Sequence, residues 1–338
     1  MKNLLVPFLI LTILSTAGTI CRAQDPNFSQ FFSSPLTISP ALAGNGESQW
    51  RAMANLRNQW VGLGSTYRTK SISVDGKLIE GEYDNNNYVG IGGMVLMDDA
   101  MEGIYKSTHV ALNAAYHLTL DAEARHGIAV GLGGVYSRTN IDFSQLTFGQ
   151  QLSSTGFNRA LPTGEPALNN MQGYASVCAG LMYTFTSENS FADFGVAGYR
   201  FIKTKNSVYN DPTQYQSPRY NAHFDFGTTL NERTNLSLNA IYQTQAKVSS
   251  MTLGGTLGLY HGQEDYSLRV LNLGMYYRVG DAIIPYIGYV YNSLQLGLSY
   301  DVTVSSIKSA AMTPKTFELS LIYRYSKTFI NKIPCPGR

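Results

Sequence analysis

Charge is scarce in this chain: Asp, Glu, Lys and Arg together make up 14% of its 338 residues and almost cancel, leaving a net +2. The basic footprint that grips nucleic acid is therefore absent. Cysteine is scarcer still, and Cys178 and Cys335 show no spacing that demands a disulfide or a zinc site. His109, His117, His126, His223 and His261 form no i, i+2 pair and have no cysteine beside them, so no metal ligation is expected. No Ser–His pair is set apart by its spacing, which leaves an outer-membrane lipase without a triad. Glycines cluster at 90–93, 131–134 and 254–258, but inside apolar alternation. A nucleotide loop needs a strand before it and a helix after it, so these read instead as bends or close approaches in a curved sheet. Neither an enzyme nor a cofactor is expected.

Long apolar runs are missing as well, apart from the start. Lys2, an apolar run over 4–14 and Cys21-Arg22-Ala23 ahead of Gln24 have the order of a secretory signal, cut after Ala23. The run is too short to span a bilayer as a helix. Bulky Ile20 stands where a lipid-attachment signal at Cys21 would want a small residue. The mean hydropathy of −0.11 looks like that of a soluble protein. It is also what a membrane β-barrel gives, because outward apolar and inward polar residues average out.

What is plentiful points the same way: 32 glycines and 23 tyrosines. Between 293 and 325, Leu294, Leu296, Leu298, Tyr300 and Val302, and then Phe317, Leu319, Leu321, Tyr323 and Tyr325, alternate with mostly polar residues. Strand side chains point to opposite faces in turn, so each run has one apolar and one polar face, with tyrosine near its ends. The pattern recurs in fourteen segments: 48–58, 67–77, 87–97, 104–118, 126–138, 172–186, 191–202, 219–230, 235–247, 251–261, 266–279, 283–291, 293–304 and 315–325. The longest connections, 139–171 and 203–218, both follow odd-numbered segments, and most even-numbered ones end in short turns. An even count with long loops on one side is the plan of an outer-membrane barrel. The expected architecture is all-β, a transmembrane antiparallel barrel of about fourteen strands. Residues 1–23 would be the signal, 24–47 an irregular N-terminal periplasmic or plug segment, 48–326 the barrel and 327–338 a C-terminal periplasmic tail.

Alternation places Arg51, Arg57, His223, Asp225, Asn272, Arg278, Asp301, Glu318 and Arg324 in the lumen. Mixed signs suit salt-bridged crosslinks that fill or narrow it, whereas an open porin tends to carry a biased ring. Partner contacts are expected at Asp25, Phe28 and Phe31 of the N-terminal segment if it is a partner-binding arm; otherwise it reads as a plug or a brace against the barrel mouth. A second set, Phe143, Leu146, Phe148 and Phe157, lies in the long outer loop, where it either caps the lumen or docks a secreted protein. Outer-membrane lipid is the expected surroundings, and a channel or transporter for small solutes is the alternative function.

Specific runs also carry a resemblance. DPNFSQFFSSPLTISPALAG from Asp25 and NQWVGLGSTYRTKSISVDGKL from Asn58 resemble the opening of the mature PorP/SprF proteins, outer-membrane components of type IX secretion and gliding motility in Bacteroidetes. IDFSQLTFGQQL, GLSYDVTVSSI and FELSLIYRY resemble later parts of the same family. The resemblance implies a non-enzymatic barrel that works with periplasmic ring lipoproteins, with secreted cargo, or with both, in export or surface anchoring.

Overall fold

The computed structural model describes residues 25–62, 65–80, 87–165, 173–202, 215–261, 268–305 and 315–326. The expected signal, most of the 78–86 turn and the tail with Cys335 lie outside them. Five strands come first: β1 (Trp50–Val61), β2 (Tyr67–Glu80), β3 (Tyr88–Ala100), β4 (Tyr105–Thr119) and β5 (His126–Ile141). A two-residue-a-side hairpin follows, β6 (Leu152–Ser153) and β7 (Gly156–Phe157). Then come β8 (Tyr174–Thr186), β9 (Ser190–Tyr199), β10 (Arg219–Asn231), β11 (Thr234–Gln245) and β12 (Val248–Tyr260). The last four are β13 (Arg269–Arg278), β14 (Ala282–Tyr291), β15 (Leu294–Thr303) and β16 (Lys315–Tyr325).

Apart from the small hairpin, every strand pairs antiparallel with its neighbours in one closed barrel of fourteen strands. The seam between β1 and β16 runs from Trp50 opposite Tyr325 to Arg57 opposite Glu318. Closure leaves no strand edge to be satisfied in hydrocarbon. Element ends differ from the pattern where the backbone turns. β11 stops at Gln245 because Ala246 and Lys247 both take positive φ, 51° and 69°, the two-residue hairpin geometry. β9 stops at Tyr199, and Arg200, with φ at 64°, leaves the extended region.

The outward face is a band of exposed Leu, Val and Ile, including Ile72, Leu112, Leu132, Leu257, Ile287 and Leu296. Tyrosines bound it on both sides. Tyr116, Tyr183, Tyr289 and Tyr323 stand toward the short-turn end, and Tyr136, Tyr220, Tyr242, Tyr277 and Tyr300 toward the other, all exposed. An apolar belt between two aromatic girdles fits a bilayer and nothing soluble. The opposite end carries the two long connections, from β5 to β8 and from β9 to β10, and is called here the long-loop end.

Of the two places expected for it, periplasmic or plug, the N-terminal segment takes the plug position. Three single-turn 3-10 helices, Phe31–Ser33, Pro35–Thr37 and Pro40–Leu42, carry it through the inside of the barrel. Asn45 bonds Asp193 of β9 toward the short-turn end, while Asp25 pairs with Arg200 and Arg219 at the long-loop end. Alternation assigns strands but gives no direction to a stretch without a period, which is why the sequence alone leaves plug, brace and arm open.

Candidate functional site

The lumen and its two rims are the candidate site, and the lumen is occupied by the chain itself. Phe32 stacks on Tyr276 at 5.2 Å between ring centroids and meets Tyr286 edge-on at 5.2 Å, with Phe31 edge-on to Tyr276 at 6.1 Å. Ile38, Ala41 and Leu42 join these rings in one buried cluster with Ala129, Met182, Ile241 and Ile284 from the wall. The barrel thus has a small hydrophobic core of its own, in addition to the lipid that covers its outside.

Around that core the segment's backbone, which lacks a regular ladder, is satisfied by wall side chains. The amides of Ser29 and Gln30 donate to the two oxygens of Glu318, at 2.5 and 2.8 Å. Gln30 Nε2 donates to Ser299 Oγ and to the Glu318 carbonyl, both at 3.0 Å. Asn221 Nδ2 donates to the Ile38 carbonyl at 2.8 Å, and Arg219 Nη2 to that of Thr37 at 3.0 Å. The Gly44 amide donates to Asp75 Oδ2 at 2.8 Å. A buried segment of irregular backbone persists only when its polar groups are matched in this way.

Charges close the network. Arg57 bridges Glu318 at 2.7 Å and Asp301 at 3.4 Å, and Arg278 reaches Asp301 at 3.0 Å and Asp281 at 2.9 Å. The Arg57 Nη1 group also donates to the Asn27 carbonyl at 2.8 Å, and Arg278 donates to Ser29 Oγ. At the other end of β1, Arg51 pairs with Asp75 at 2.6 Å. Arg324 donates to Gln295 at 2.8 Å, and Asp225 accepts from Asn239 at 2.8 Å. All seven charged residues assigned to the lumen by alternation therefore face it, and several of them hold the plug. Removing one partner of such a buried pair costs far more than the pair itself contributes, so the network fixes the segment's position more than it adds stability.

At the long-loop end Asp25 sits against Arg219, 3.2 Å away, and Arg200, with its amide donating to Gln245 Oε1 at 2.8 Å. Burial alone would raise its carboxyl. The guanidinium groups of Arg219 and Arg200 outweigh that and bring it down to about 2.

Phe28 and Phe31, expected to meet a partner, are buried in the lumen. The outer-loop residues lie elsewhere. Phe143, Leu146 and Phe148 are half-buried, while Phe157, opposite Leu152 in the β6–β7 hairpin, is 57% exposed. Cys178 is a buried free thiol on β8. Sequence reasoning did not single out the wall residues that receive the plug: Asp75, Ser299 and Asn221, which bond Gly44, Gln30 and Ile38. The glycine clusters were the available signal, since Gly90 and Gly131 lie where the backbone of 40–44 presses on the wall, and Gly180 of β8 lies beside the Ser39 hydroxyl.

A closed antiparallel barrel, belted with apolar side chains and filled by its own N-terminal segment, is a membrane-spanning β-barrel with a plugged lumen. The family model described as type IX secretion system membrane protein PorP/SprF matches residues 20–323, and the chain belongs to that family. No curated protein sequence matches it. Among solved structures, a FadL homologue from Pseudomonas aeruginosa is similar, with a TM-score of 0.52 and 9% identity over 90% of this chain and 100% of that one. The toluene transporter TbuX of Ralstonia pickettii aligns with a TM-score of 0.51 and 8% identity, over 87% of this chain and 94% of its own. Identities this low speak for the barrel fold alone.

Proposed function

We propose that this protein is a non-enzymatic outer-membrane component of type IX secretion and gliding motility that serves as a fixed anchor, not as a conduit. The family supplies the system; the occupied lumen supports the role. Residues 25–45 span the inside of the barrel and are tied to Glu318, Asp301, Asn221, Asp75 and Asp193. With the interior used for its own segment, the surfaces left for partners are the two rims. The short-turn rim faces the periplasm and suits the ring lipoproteins of the system. The long-loop rim faces outward, and its exposed Leu152–Phe157 pair suits a secreted protein held at the surface.

Deleting residues 150–168 tests the outer contact. Cargo retention at the cell surface should be lost while heat-modifiable migration of the folded barrel is kept, and unchanged retention rejects the contact. The channel reading is tested separately in planar bilayers. A large steady current from the intact protein would favour solute passage over anchoring.

A further inference from the structure

Charged side chains on the outward face of the strands are few, and most of them are gathered in one place. On β2 the outward positions run Arg68, Lys70, Ile72, Val74, while the alternate Thr69, Ser71 and Ser73 are buried. Strand register puts Arg68 opposite Asp99 of β3, and Asp99 opposite Lys106 of β4. One row further toward the membrane centre, Lys70 lies opposite Met97, Met97 opposite Thr108, and Thr108 opposite Arg138 of β5. The next row is Ile72, Val95, Val110 and Tyr136, wholly apolar apart from the tyrosine hydroxyl. Four cations and one carboxylate thus occupy two adjacent rows across four strands, immediately above the point where the apolar belt begins at the long-loop end. Arg68, Lys70, Lys106 and Arg138 are all exposed, and among the described residues none of them is in a salt bridge.

Neighbouring strands stand about 4.8 Å apart, so Arg68 and Lys106 are roughly 10 Å from each other along their row. Asp99 of β3 stands between them, so the face open to an anionic group is the next row, where Lys70 and Arg138 flank Met97 and Thr108 with no carboxylate. A cation at this height contacts lipid headgroups, and its apolar stem can lie along the belt while the charge meets phosphate. Arginine adds forked donors suited to phosphate oxygens. On β10, β11, β13 and β15 the corresponding outward positions are Tyr220, Tyr242, Tyr277 and Tyr300, uncharged anchors of the ordinary kind, and Lys315 at the start of β16 is a further cation beside the patch.

We propose that Arg68, Lys70, Lys106 and Arg138 form a binding site for phosphorylated lipid headgroups in the leaflet at the long-loop end. The site fixes one sector of the barrel, β2 to β5, against anionic lipid. It uses neither the lumen nor the loop hairpin, so it stands or falls apart from the anchoring role.

The experiment compares lipid retention by the detergent-purified protein after exposure to an equimolar mixture of diphosphoryl lipid A and phosphatidylcholine, read by native mass spectrometry. The intact protein should retain the diphosphoryl lipid preferentially, less so as salt rises. The combined variant Arg68→Gln, Lys70→Gln, Lys106→Gln, Arg138→Gln should retain it at least about ten-fold less, since each cation near a charged surface contributes separately. A control, Arg233→Gln with Arg269→Gln at the short-turn end, should behave as the intact protein, and both variants should keep the heat-modifiable migration of a folded barrel. Should the combined variant misfold, Lys70→Gln with Arg138→Gln alone should still lower retention. Equal retention of both lipids by the intact protein, or a loss as large in the control as in the combined variant, overturns the proposal. So does retention of inorganic phosphate alone with no preference among lipids.

Discussion

Gly131 of β5 lies directly under the backbone of Ala41, so close that a Cβ placed on Gly131 would overlap the Ala41 amide nitrogen. The contact is backbone to backbone, and neither side has a flexible group to move away. Gly131→Val should therefore displace the 3-10 turn at Pro40–Leu42 from the wall, at a cost of about 1–3 kcal/mol from overpacking. Gly134, three residues along the same strand, has nothing within 4 Å of its ideal Cβ. Gly134→Ala should be neutral or slightly stabilising, because alanine loses less backbone freedom on folding. Thermal unfolding in detergent, with protease cleavage in 25–45 as a second readout, separates the two. Equal behaviour of both variants would remove Gly131 as a plug seat.

The leading end of the plug should be acid-sensitive in one window only. Asp25 is held at about 2 because Arg219 and Arg200 outweigh its burial, against a usual carboxylate value near 4. A folded-state value below the unfolded one means the unfolded chain takes up its proton first. The contribution is then fully present above about pH 4 and is lost as pH falls toward 2, with a size on the order of 2 kcal/mol from the shift. Asp25→Asn should lose that contribution at neutral pH, and its difference from the intact protein should shrink through the same window. Melting temperatures of the two proteins between pH 7 and pH 2 check this. A difference that stays constant down to pH 2 would mean the carboxylate does not sense the two arginines.

The barrel was legible in the sequence because period-two alternation survives wherever one face meets lipid and the other a polar interior. Leu294–Thr303 and Lys315–Tyr325 keep it without a break, and the inward set from Arg51 to Arg324 follows from it. The plug was not legible in the same way. Phe28, Phe31 and Phe32 announce burial, but their spacing fits several surroundings, and only the closed wall decides that they point into the lumen. The glycines of β3, β5 and β8 carried the missing information as absent side chains, which a single sequence does not distinguish from bends in a curved sheet. The rim cations were hidden for another reason: Arg68, Lys70, Lys106 and Arg138 are scattered over some seventy positions and become one patch only through register.

Removing the plug should turn the barrel into a conductor. Its wall keeps Arg51, Asp75, Arg57, Glu318, Asp301 and Arg278 facing a lumen that residues 25–44 now fill. Without that segment the same side chains must be satisfied by water, and a fourteen-strand barrel is wide enough to hold it, since eight strands already close on side chains alone. A variant lacking residues 25–44 behind an intact signal should therefore fold, with a lowered melting temperature from the loss of the Phe31–Phe32–Tyr276 cluster. In planar bilayers it should pass ions in steady steps where the intact protein stays silent. Arg57→Ala in the full-length chain should fall between the two. It leaves Glu318 and Asp301 short of a buried partner, a loss of about 3–5 kcal/mol for a broken buried pair, so the plug should leave transiently and give brief openings. Silence from the deletion variant would mean that the wall collapses or that loops seal the lumen. Steady current from the intact protein would mean that residues 25–45 do not close it.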